Sequence, residues 1–396
     1  MKDLDIVIYG ATGFTGQLCA AYLAQHKGKI KWAVAGRNQA KLDKIVNALG
    51  VSVETLIADA DDHAGLDVIT ARAKVVLSTA GPFHRYGSNL VAACVKNATH
   101  YVDITGENFW VKDLIEKHHA EASQKGIRII PSCGFDSIPS DLGCFNAIRE
   151  ADRPIRRVDA LHAFKGGASG GTLETIFAMP DLKLGDDLTN PFLLNPSDTT
   201  SPAMESESQD GFGIAAKSEV NGYAAPFIMA AANTRVVRRS AALLGLQQEP
   251  YGPHFVYQEF SYQASRWQAI KAALGMAALG IVLFSPLRKL VRPLLKQPGE
   301  GPTEEQRNAG WFECKFILET EDGQKLVSAI RGDGDPGYKV TSKLVTECAL
   351  CLVEDFDALP GGPSYGGILT SATGLGQPLV QRLKRAGIEF DPPRAA

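Results

Sequence analysis

A short apolar run that leads straight into a glycine-rich turn constrains the fold of this chain more than any other feature. Residues 5–9 (DIVIY) have the β-branched, continuously apolar composition of a buried parallel strand, and the turn GATGFTG follows at once. Residues 17–26 then carry apolar side chains at helical spacing. A strand, a turn with glycines three residues apart and a helix are the opening unit of a dinucleotide-binding domain.

The same alternation continues along the next hundred or so residues. Amphipathic helical segments separate five further strand-like runs, at residues 30–35, 51–59, 74–81, 99–107 and 127–135. This spacing indicates parallel pairing, because each parallel connection needs a crossover of helical length. The expected fold class is therefore α/β, with a Rossmann-type doubly wound parallel sheet.

The pattern changes in the second half of the chain. Residues 312–319 and 325–331 predict two antiparallel strands around a turn, and residues 341–356 predict a long helix. One core rarely extends beyond about 250–300 residues, so a chain of 396 residues should form two domains. We expect a nucleotide-binding domain at 1–150 and a substrate-facing α+β domain at 151–396, and a return of the extreme C-terminus to the first domain stays open.

Each glycine of the turn has its own expected role. Gly10 permits the tight turn, Gly13 lets the backbone approach a pyrophosphate, and Gly16 lets the helix pack closely against the strand. The first N–H groups of the helix and two threonine hydroxyls can donate to the phosphates. A glycine-rich turn without a ligand is the alternative. The expected cofactor contacts in the turn are Gly10, Thr12, Gly13, Phe14, Thr15 and Gly16.

The end of the second strand predicts which nucleotide is bound. A site for NAD usually carries Asp or Glu about 20 residues after the glycines, where the carboxylate binds the ribose 2′-hydroxyl. Here Gly36 is followed by Arg37, and Lys41 comes one helical turn later. A guanidinium can bind a 2′-phosphate with two hydrogen bonds. The sequence therefore predicts NADP(H), and the alternative is a solvated basic helix start.

Residues that follow the carboxyl ends of the strands are the remaining candidates for ligand contacts. Tyr86 follows the fourth strand, where the nicotinamide is expected, and is a candidate proton donor. Asp136 follows the sixth strand and is a candidate catalytic residue as an acid that orients the donor. His84 is a candidate for moving a proton, and Asp103 for orienting a donor. Two other interpretations stay open, since Tyr86 can simply line the pocket and Asp136 can cap a helix beginning near Ile138. Further cofactor contacts are expected at Asp59, Thr79, Ala80, Gly81 and Pro82.

Charge, cysteine content and the first residues limit the class of protein. The net charge is −3 and no nucleic-acid-binding motif is present, so we expect no nucleic-acid partner. The seven cysteines are scattered and odd in number, which argues against a disulfide framework, and no metal-ligand pattern is evident. The charged N-terminus leads into the first strand instead of an apolar leader, so a cytoplasmic location is expected.

An apolar segment with a basic continuation differs from the rest of the chain. Residues 272–284 carry no charge, but the run is shorter than the about 20 residues that span a bilayer. Pro286 and Pro293 would divide it into short helices. The segment therefore lies peripherally on the inner face of a membrane or on a lipid droplet, or it is a buried helix of the core or of a homodimer. The basic residues that follow are Arg288, Lys289, Arg292 and Lys296.

Several longer stretches resemble the saccharopine dehydrogenase-like oxidoreductases and, within them, the trans-acting enoyl reductase group. The stretch STAGPFHRYGSNLVAACVKNATHYVDITGE (78–107) is far more specific than the glycine turn. The resemblance implies an NADP-linked reductase from a family that acts on lipid or polyketide chains, with relatives associated with lipid droplets. The other matching stretches are IVIYGATGFTG (6–16), AGR (35–37), GFDSIPSDLG (134–143) and GEGPTEEQRNAGWF (299–312).

Three functions follow as hypotheses. The first is an NADPH-dependent oxidoreductase that reduces an enoyl or carbonyl group of a small lipid-like or polyketide-like substrate, which the resemblance links to glycolipid biosynthesis. The second is a saccharopine-type dehydrogenase of an amino or imino acid, although no arginine cluster suited to two carboxylates is evident. The third is a lipid-surface protein that keeps the nucleotide-binding fold without turnover.

Overall fold

The computed structural model describes residues 2–167, 170–182, 184–292 and 301–396. Within them the strands are β1 (Leu4–Tyr9), β2 (Trp32–Gly36), β3 (Glu54–Ile57), β4 (Ala73–Ser78), β5 (His100–Asp103), β6 (Arg128–Ile130), β7 (Ile155–Lys165), β8 (Ala215–Lys217), β9 (Gly222–Ala225), β10 (Val256–Gln263), β11 (Trp311–Thr320), β12 (Lys325–Asp333), β13 (Gly367–Ile368) and β14 (Glu389–Ala395). The α-helices are α1 (Phe14–Ala24), α2 (Gln39–Leu49), α3 (His63–Arg72), α4 (Phe83–Tyr86), α5 (Ser88–Lys96), α6 (Asn108–Gln124), α7 (Ile138–Ala151), α8 (Gly170–Ala178), α9 (Pro202–Glu207), α10 (Ala230–Leu246), α11 (Arg266–Leu283), α12 (Arg288–Val291), α13 (Glu304–Asn308), α14 (Thr341–Glu354), α15 (Ser371–Gly374) and α16 (Gly376–Arg385).

The first sheet has seven parallel strands in the order β13-β6-β5-β4-β1-β2-β3. Helices cover both of its faces, so its central strands are buried on both sides and read as continuous apolar runs. Ile6, Val7 and Ile8 of β1, for example, have no exposed surface. The predicted doubly wound Rossmann-type sheet is confirmed.

A segment from the C-terminal part of the chain returns to the first sheet. Strand β13 pairs with β6, with Gly367 opposite Arg128, and helix α14 packs against α1 of the nucleotide turn. The buried Arg128 side chain donates hydrogen bonds to the carbonyl oxygens of Pro360 and Gly362, which fixes the returning segment on the first sheet. The C-terminal strand β14 pairs with β12 and belongs to the second sheet.

The second sheet is mixed and has the strand order β14-β12-β11-β7-β10-β9-β8. Strands β7 and β10 are parallel, and the other neighbours are antiparallel. The predicted hairpin is present as β11 and β12, and helices α7 and α10 pack on this sheet. The second unit is therefore the expected α+β domain, and it meets the first sheet at the carboxyl ends of the parallel strands.

The apolar segment forms two helices, α11 and α12, with Pro286 between them. Within α11, Ala269 is the one buried residue, whereas Leu274 and Ile281 are each 66% exposed. The interpretation as a core helix is therefore wrong for the single chain, and contact with a membrane or a second copy stays a prediction. By length and composition, α11 is the one helix in the described residues able to cross a membrane. Pro293 and Lys296 lie outside the described residues.

Candidate active site

A cavity of about 590 Å³ lies between the two sheets, at the carboxyl edge of the first. This is the edge where open α/β sheets bind ligands, and the volume is typical of a site for a small molecule. The glycine turn and the ends of β4, β5 and β6 form one side. Parts of α8, α10 and α11 and the turn at Pro336–Val340 form the other.

The glycine turn has the geometry that the sequence predicts. Gly10 has φ +84°, and a Cβ there would lie 2.9 Å from the backbone nitrogen of Ala80. A Cβ on Gly16 would lie 2.4 Å from the Gly10 oxygen, so neither position accepts a side chain. Gly13 precedes α1 with no side chain capping the helix, which leaves the first N–H groups beside the cavity.

The residues after β2 and β3 lie at the same sheet edge. Arg37 and Lys41 are exposed, and the Asn38 side chain accepts a 3.0 Å hydrogen bond from the Lys41 backbone nitrogen, which begins α2. Asp59 is exposed beyond the end of β3, and Gly36 is buried close to Thr12 of the turn. These side chains stand outside the cavity, on the part of the edge where the adenosine end of a dinucleotide lies in this fold.

The residues after β4 connect the turn to the cavity. Thr79 donates a 3.1 Å hydrogen bond to the Gly10 carbonyl oxygen, and Ala80 packs against Gly10. Thr79, Gly81 and Pro82 line the cavity together with Phe14 and Thr15 of the turn. The predicted residues of the glycine turn and of the segment after β4 therefore form one continuous surface that leads into the cavity.

Asp136 lines the cavity directly after the buried Phe135. Helix α7 begins at Ile138 without a capping side chain, so the helix-cap interpretation is wrong. Burial raises the pKa of the Asp136 carboxyl to about 6, the Glu259 charge adds to the rise, and His162 opposes it. A carboxyl group with this environment exchanges a proton near neutral pH.

A buried polar cluster lies beneath the cavity floor. The Glu259 carboxylate accepts a 2.9 Å hydrogen bond from the Asn233 amide and a 2.8 Å bond from the Tyr257 hydroxyl. His162 lies 3.6 Å from Glu259 and stacks on Phe227, which lines the cavity. These residues come from β7, β10 and α10, and no sequence pattern brings them together.

Tyr86 does not lie among the described residues that line the cavity. Tyr86 ends the four-residue helix α4 and is 39% exposed. Phe83, at the start of the same helix, is buried and lines the cavity instead. His84 pairs with the buried Glu107, with Nδ1 2.7 Å from the carboxylate. Glu107 also accepts hydrogen bonds from the backbone nitrogens of Phe83 and His84, so it orients the start of α4 at the cavity wall.

Asp103 acts within the first sheet. One carboxylate oxygen accepts hydrogen bonds from the backbone nitrogens of Thr105, at 2.9 Å, and Ser132, at 3.0 Å, and so ties the end of β5 to the end of β6. Burial raises the pKa of Asp103 to about 7. It does not line the cavity, so it supports the wall that carries Asp136 and does not face a substrate.

Comparison with known proteins identifies the family. Residues 6–130 match the model of the saccharopine dehydrogenase NADP binding domain. A trans-acting enoyl reductase of Mycobacterium tuberculosis is 35% identical, and one of Mycobacterium leprae is 33% identical; each alignment covers 98% of this chain and 97% of the relative. The chain belongs to the saccharopine dehydrogenase-like oxidoreductases, in the trans-acting enoyl reductase group.

A solved member of the wider family has the same fold. The apo saccharopine dehydrogenase (L-Glu forming) of Saccharomyces cerevisiae aligns over 99% of this chain and all of its own, with a TM-score of 0.56 and 15% identity. Like its family, this reductase is an NADP-dependent oxidoreductase. The residues present fit NADP(H), because the open helix start at Gly13 can bind phosphate and Arg37 stands where an acidic residue would select NAD.

The structure adds site residues that sequence reasoning missed. Tyr338 is buried in the cavity wall, where its ring meets Phe14 of the nucleotide turn edge-on at 4.7 Å, and its hydroxyl accepts a hydrogen bond from the Gly170 nitrogen. The Arg307 guanidinium lies over the Phe14 ring, 5.5 Å from its centroid. In this reductase the C-terminal half therefore covers the nucleotide turn, a contact between residues about 300 positions apart.

Proposed function

We propose that the protein uses NADPH to reduce an enoyl or carbonyl group of an apolar, lipid-like or polyketide-like substrate, with Asp136 as the proton donor. The observation that carries the proposal is the Asp136 carboxyl group, whose pKa is raised, in a largely apolar cavity that is continuous with the nucleotide turn. The three other carboxylates among the described lining residues are already paired: Glu107 is bonded to the start of α4, Asp187 accepts a 2.9 Å hydrogen bond from Lys112, and Glu174 lies 3.7 Å from Arg292. This chemistry would belong to lipid or glycolipid synthesis.

The cavity wall supports an apolar substrate over an amino acid. Phe135, Phe164, Leu173 and Met276 are among its apolar residues. Arg235 is the one cationic side chain among the described lining residues, and both oxygens of Asp210 already accept hydrogen bonds from it. A saccharopine-type substrate would need cations for two or more carboxylates, so the described cavity lining favours the apolar substrate over the amino acid alternative.

When bound, NADPH would supply a hydride to one carbon of the double bond. The chain supplies the proton and the geometry: Asp136 donates its proton to the neighbouring carbon, or to the oxygen of a carbonyl substrate, and becomes a carboxylate. The apolar wall excludes water from the reacting atoms. Water then returns a proton to Asp136, so hydride and proton together saturate the substrate.

Peripheral contact with the inner face of a membrane is part of the same proposal. Its support is α11, on which large apolar side chains are exposed. Flotation of the protein with vesicles that contain phosphatidylglycerol tests this contact. A homodimer that buries the same face would instead keep the protein out of the vesicle fraction, and light scattering would report twice the monomer mass.

Oxidation of NADPH against a substrate panel tests the reaction. We expect turnover with long-chain 2-enoyl thioesters or related ketones and none with saccharopine. Asp136→Asn should lower kcat by at least about 100-fold, since general acid catalysis contributes that much or more. Wild-type activity should fall as the pH rises through about 6, because the donor must be protonated. Tight NADPH binding without turnover on any panel member would favour a non-catalytic lipid-surface protein.

A further inference from the structure

Helix α11 has apolar side chains on two opposite faces. Met276, Leu279 and Leu283 line the cavity. At 100° per residue, Leu274 and Ile281 project from the opposite side of the helix, and both are 66% exposed. A single helix therefore separates the cavity from an exposed apolar surface, although a helix at the surface of a globular protein usually turns a polar face outwards.

The mouth of the cavity is also apolar and exposed. Phe212, Phe284, Ile228 and Leu188 line the cavity and are at the same time 77%, 73%, 37% and 38% exposed. A side chain can be both only where the cavity opens. The large exposed side chains of the mouth and of α11 meet at Phe284, directly after the last residue of the helix.

The charges on α11 and on the segment directly after it fit an anionic bilayer. No acidic residue occurs between Arg266 and Pro298, and Arg266, Lys271 and Lys289 are exposed. Two further basic residues are already paired within the chain, because Arg288 bonds to Asp181 and Arg292 lies 3.7 Å from Glu174. Those pairs hold the segment after α11 on the cavity wall, while the exposed cations face outwards where lipid phosphates can meet them.

We propose that the cavity opens onto the lipid phase of a membrane, and that the apolar substrate enters it from the bilayer past helix α11 rather than from water. The inference rests on the proposed function for the apolar nature of the substrate. Because α11 packs on the protein along its cavity face, it lies in the plane of the interface and does not cross the bilayer. Its exposed face then replaces water contact with lipid contact, and Phe212 and Phe284 reach the acyl chains.

Fluorescence quenching tests the orientation without any need for activity. Phe212→Trp and, as a control, Val68→Trp are made in a Trp267→Phe background, and the emission of that background, which keeps Trp32, Trp110 and Trp311, is subtracted. Val68 is 58% exposed on helix α3 of the first domain. With vesicles of phosphatidylglycerol and dibrominated phosphatidylcholine, emission from residue 212 should be quenched and emission from residue 68 should not. Equal quenching at both positions, or none at either, would overturn the proposed orientation.

Kinetics test the entry route. Leu274→Glu/Ile281→Glu changes only the outer face of α11, and Leu246→Glu is a matched control at a side chain that is 64% exposed elsewhere. On a long-chain 2-enoyl thioester dissolved in anionic vesicles, the double variant should lose at least about tenfold in kcat/KM, since two large side chains no longer enter lipid. On a short, water-soluble 2-enoyl thioester all three proteins should agree within about twofold.

The outcomes separate the two proposals. If the double variant uses the vesicle-bound substrate as well as the wild type does, the entry route is wrong although the reaction stands. If the wild type turns over neither substrate, the proposed function fails, and the quenching result still decides which face meets the membrane. A wild type that is dimeric and a double variant that is monomeric, with no quenching at residue 212, would assign the surface to a second copy of the chain.

Discussion

Asp136→Asn should make the folded protein more stable while removing its activity. Folding raises the pKa of this carboxyl from 3.8 to about 6, so the folded state binds its proton more tightly than the unfolded state. Its ionisation at neutral pH therefore works against folding. The rise of this pKa from 3.8 to about 6 corresponds to about 3 kcal/mol. Asparagine avoids this cost, and no hydrogen bond of Asp136 to the described residues is lost.

The pH dependence gives the sign of the effect. Well below pH 3.8 the carboxyl is protonated in both states, so Asp and Asn should be equivalent. The advantage of Asn should be about 1.5 kcal/mol at pH 5 and about 3 kcal/mol at pH 8, with little change beyond pH 7. Urea unfolding of both proteins between pH 5 and pH 8 measures the difference in the free energy of unfolding.

Asp357→Asn is the matched control, because Asp357 is exposed and the nominal change of charge is the same. It should alter the free energy of unfolding by less than about 0.5 kcal/mol at every pH. Two results would contradict this prediction: a lower free energy of unfolding for Asp136→Asn than for the wild type, or a difference between them that does not grow with pH. Either would mean that the buried Asp136 carboxyl does not destabilise the folded protein.

Three further substitutions test the nucleotide site and the choice of proton donor. Arg37→Asp should weaken NADPH binding by about 10- to 100-fold while leaving NADH binding nearly unchanged, since a bidentate charged contact contributes about 1.5–3 kcal/mol; equal losses in calorimetry would contradict this. Gly13→Val should leave the protein folded, because its Cβ would meet only the Gly10 oxygen at 3.3 Å, but should abolish NADPH binding; unchanged affinity would mean that the turn binds no phosphate. Tyr86→Phe should retain wild-type kcat, and a 100-fold loss would restore Tyr86 as the donor.

The first sheet and the nucleotide turn could be predicted from the sequence because their signals are local. A buried parallel strand such as β1 is continuously apolar, and Gly10 and Gly16 occupy positions that no side chain can share. The presence of Arg37 in place of an acidic residue is also a local signal, because it directly follows the end of strand β2. Strand β13, with two residues, has no such signal, since only its pairing with β6 defines it.

The substrate side of the site depends on contacts between distant segments. Glu259, Asn233 and His162 lie on three elements, and Tyr338 reaches Phe14 across more than 300 residues. The position of Asp136 after the sixth strand identified it as a candidate, but only the packed structure distinguishes a cavity-facing carboxyl from a helix cap. The outward position of Tyr86, at the end of a four-residue helix, could likewise not be predicted from its place after the fourth strand.

Transfer of an isotope from cofactor to product directly tests whether the protein reduces an enoyl substrate with hydride from NADPH. The wild-type protein would be incubated with NADPH deuterated at the reactive C4 position and a long-chain 2-enoyl thioester, and the product would be analysed by mass spectrometry. We expect a saturated product with one deuterium from NADPH at one carbon and one proton from water at its neighbour. Recovery of unreduced thioester and unoxidised NADPH, from a protein shown to bind both, would contradict it.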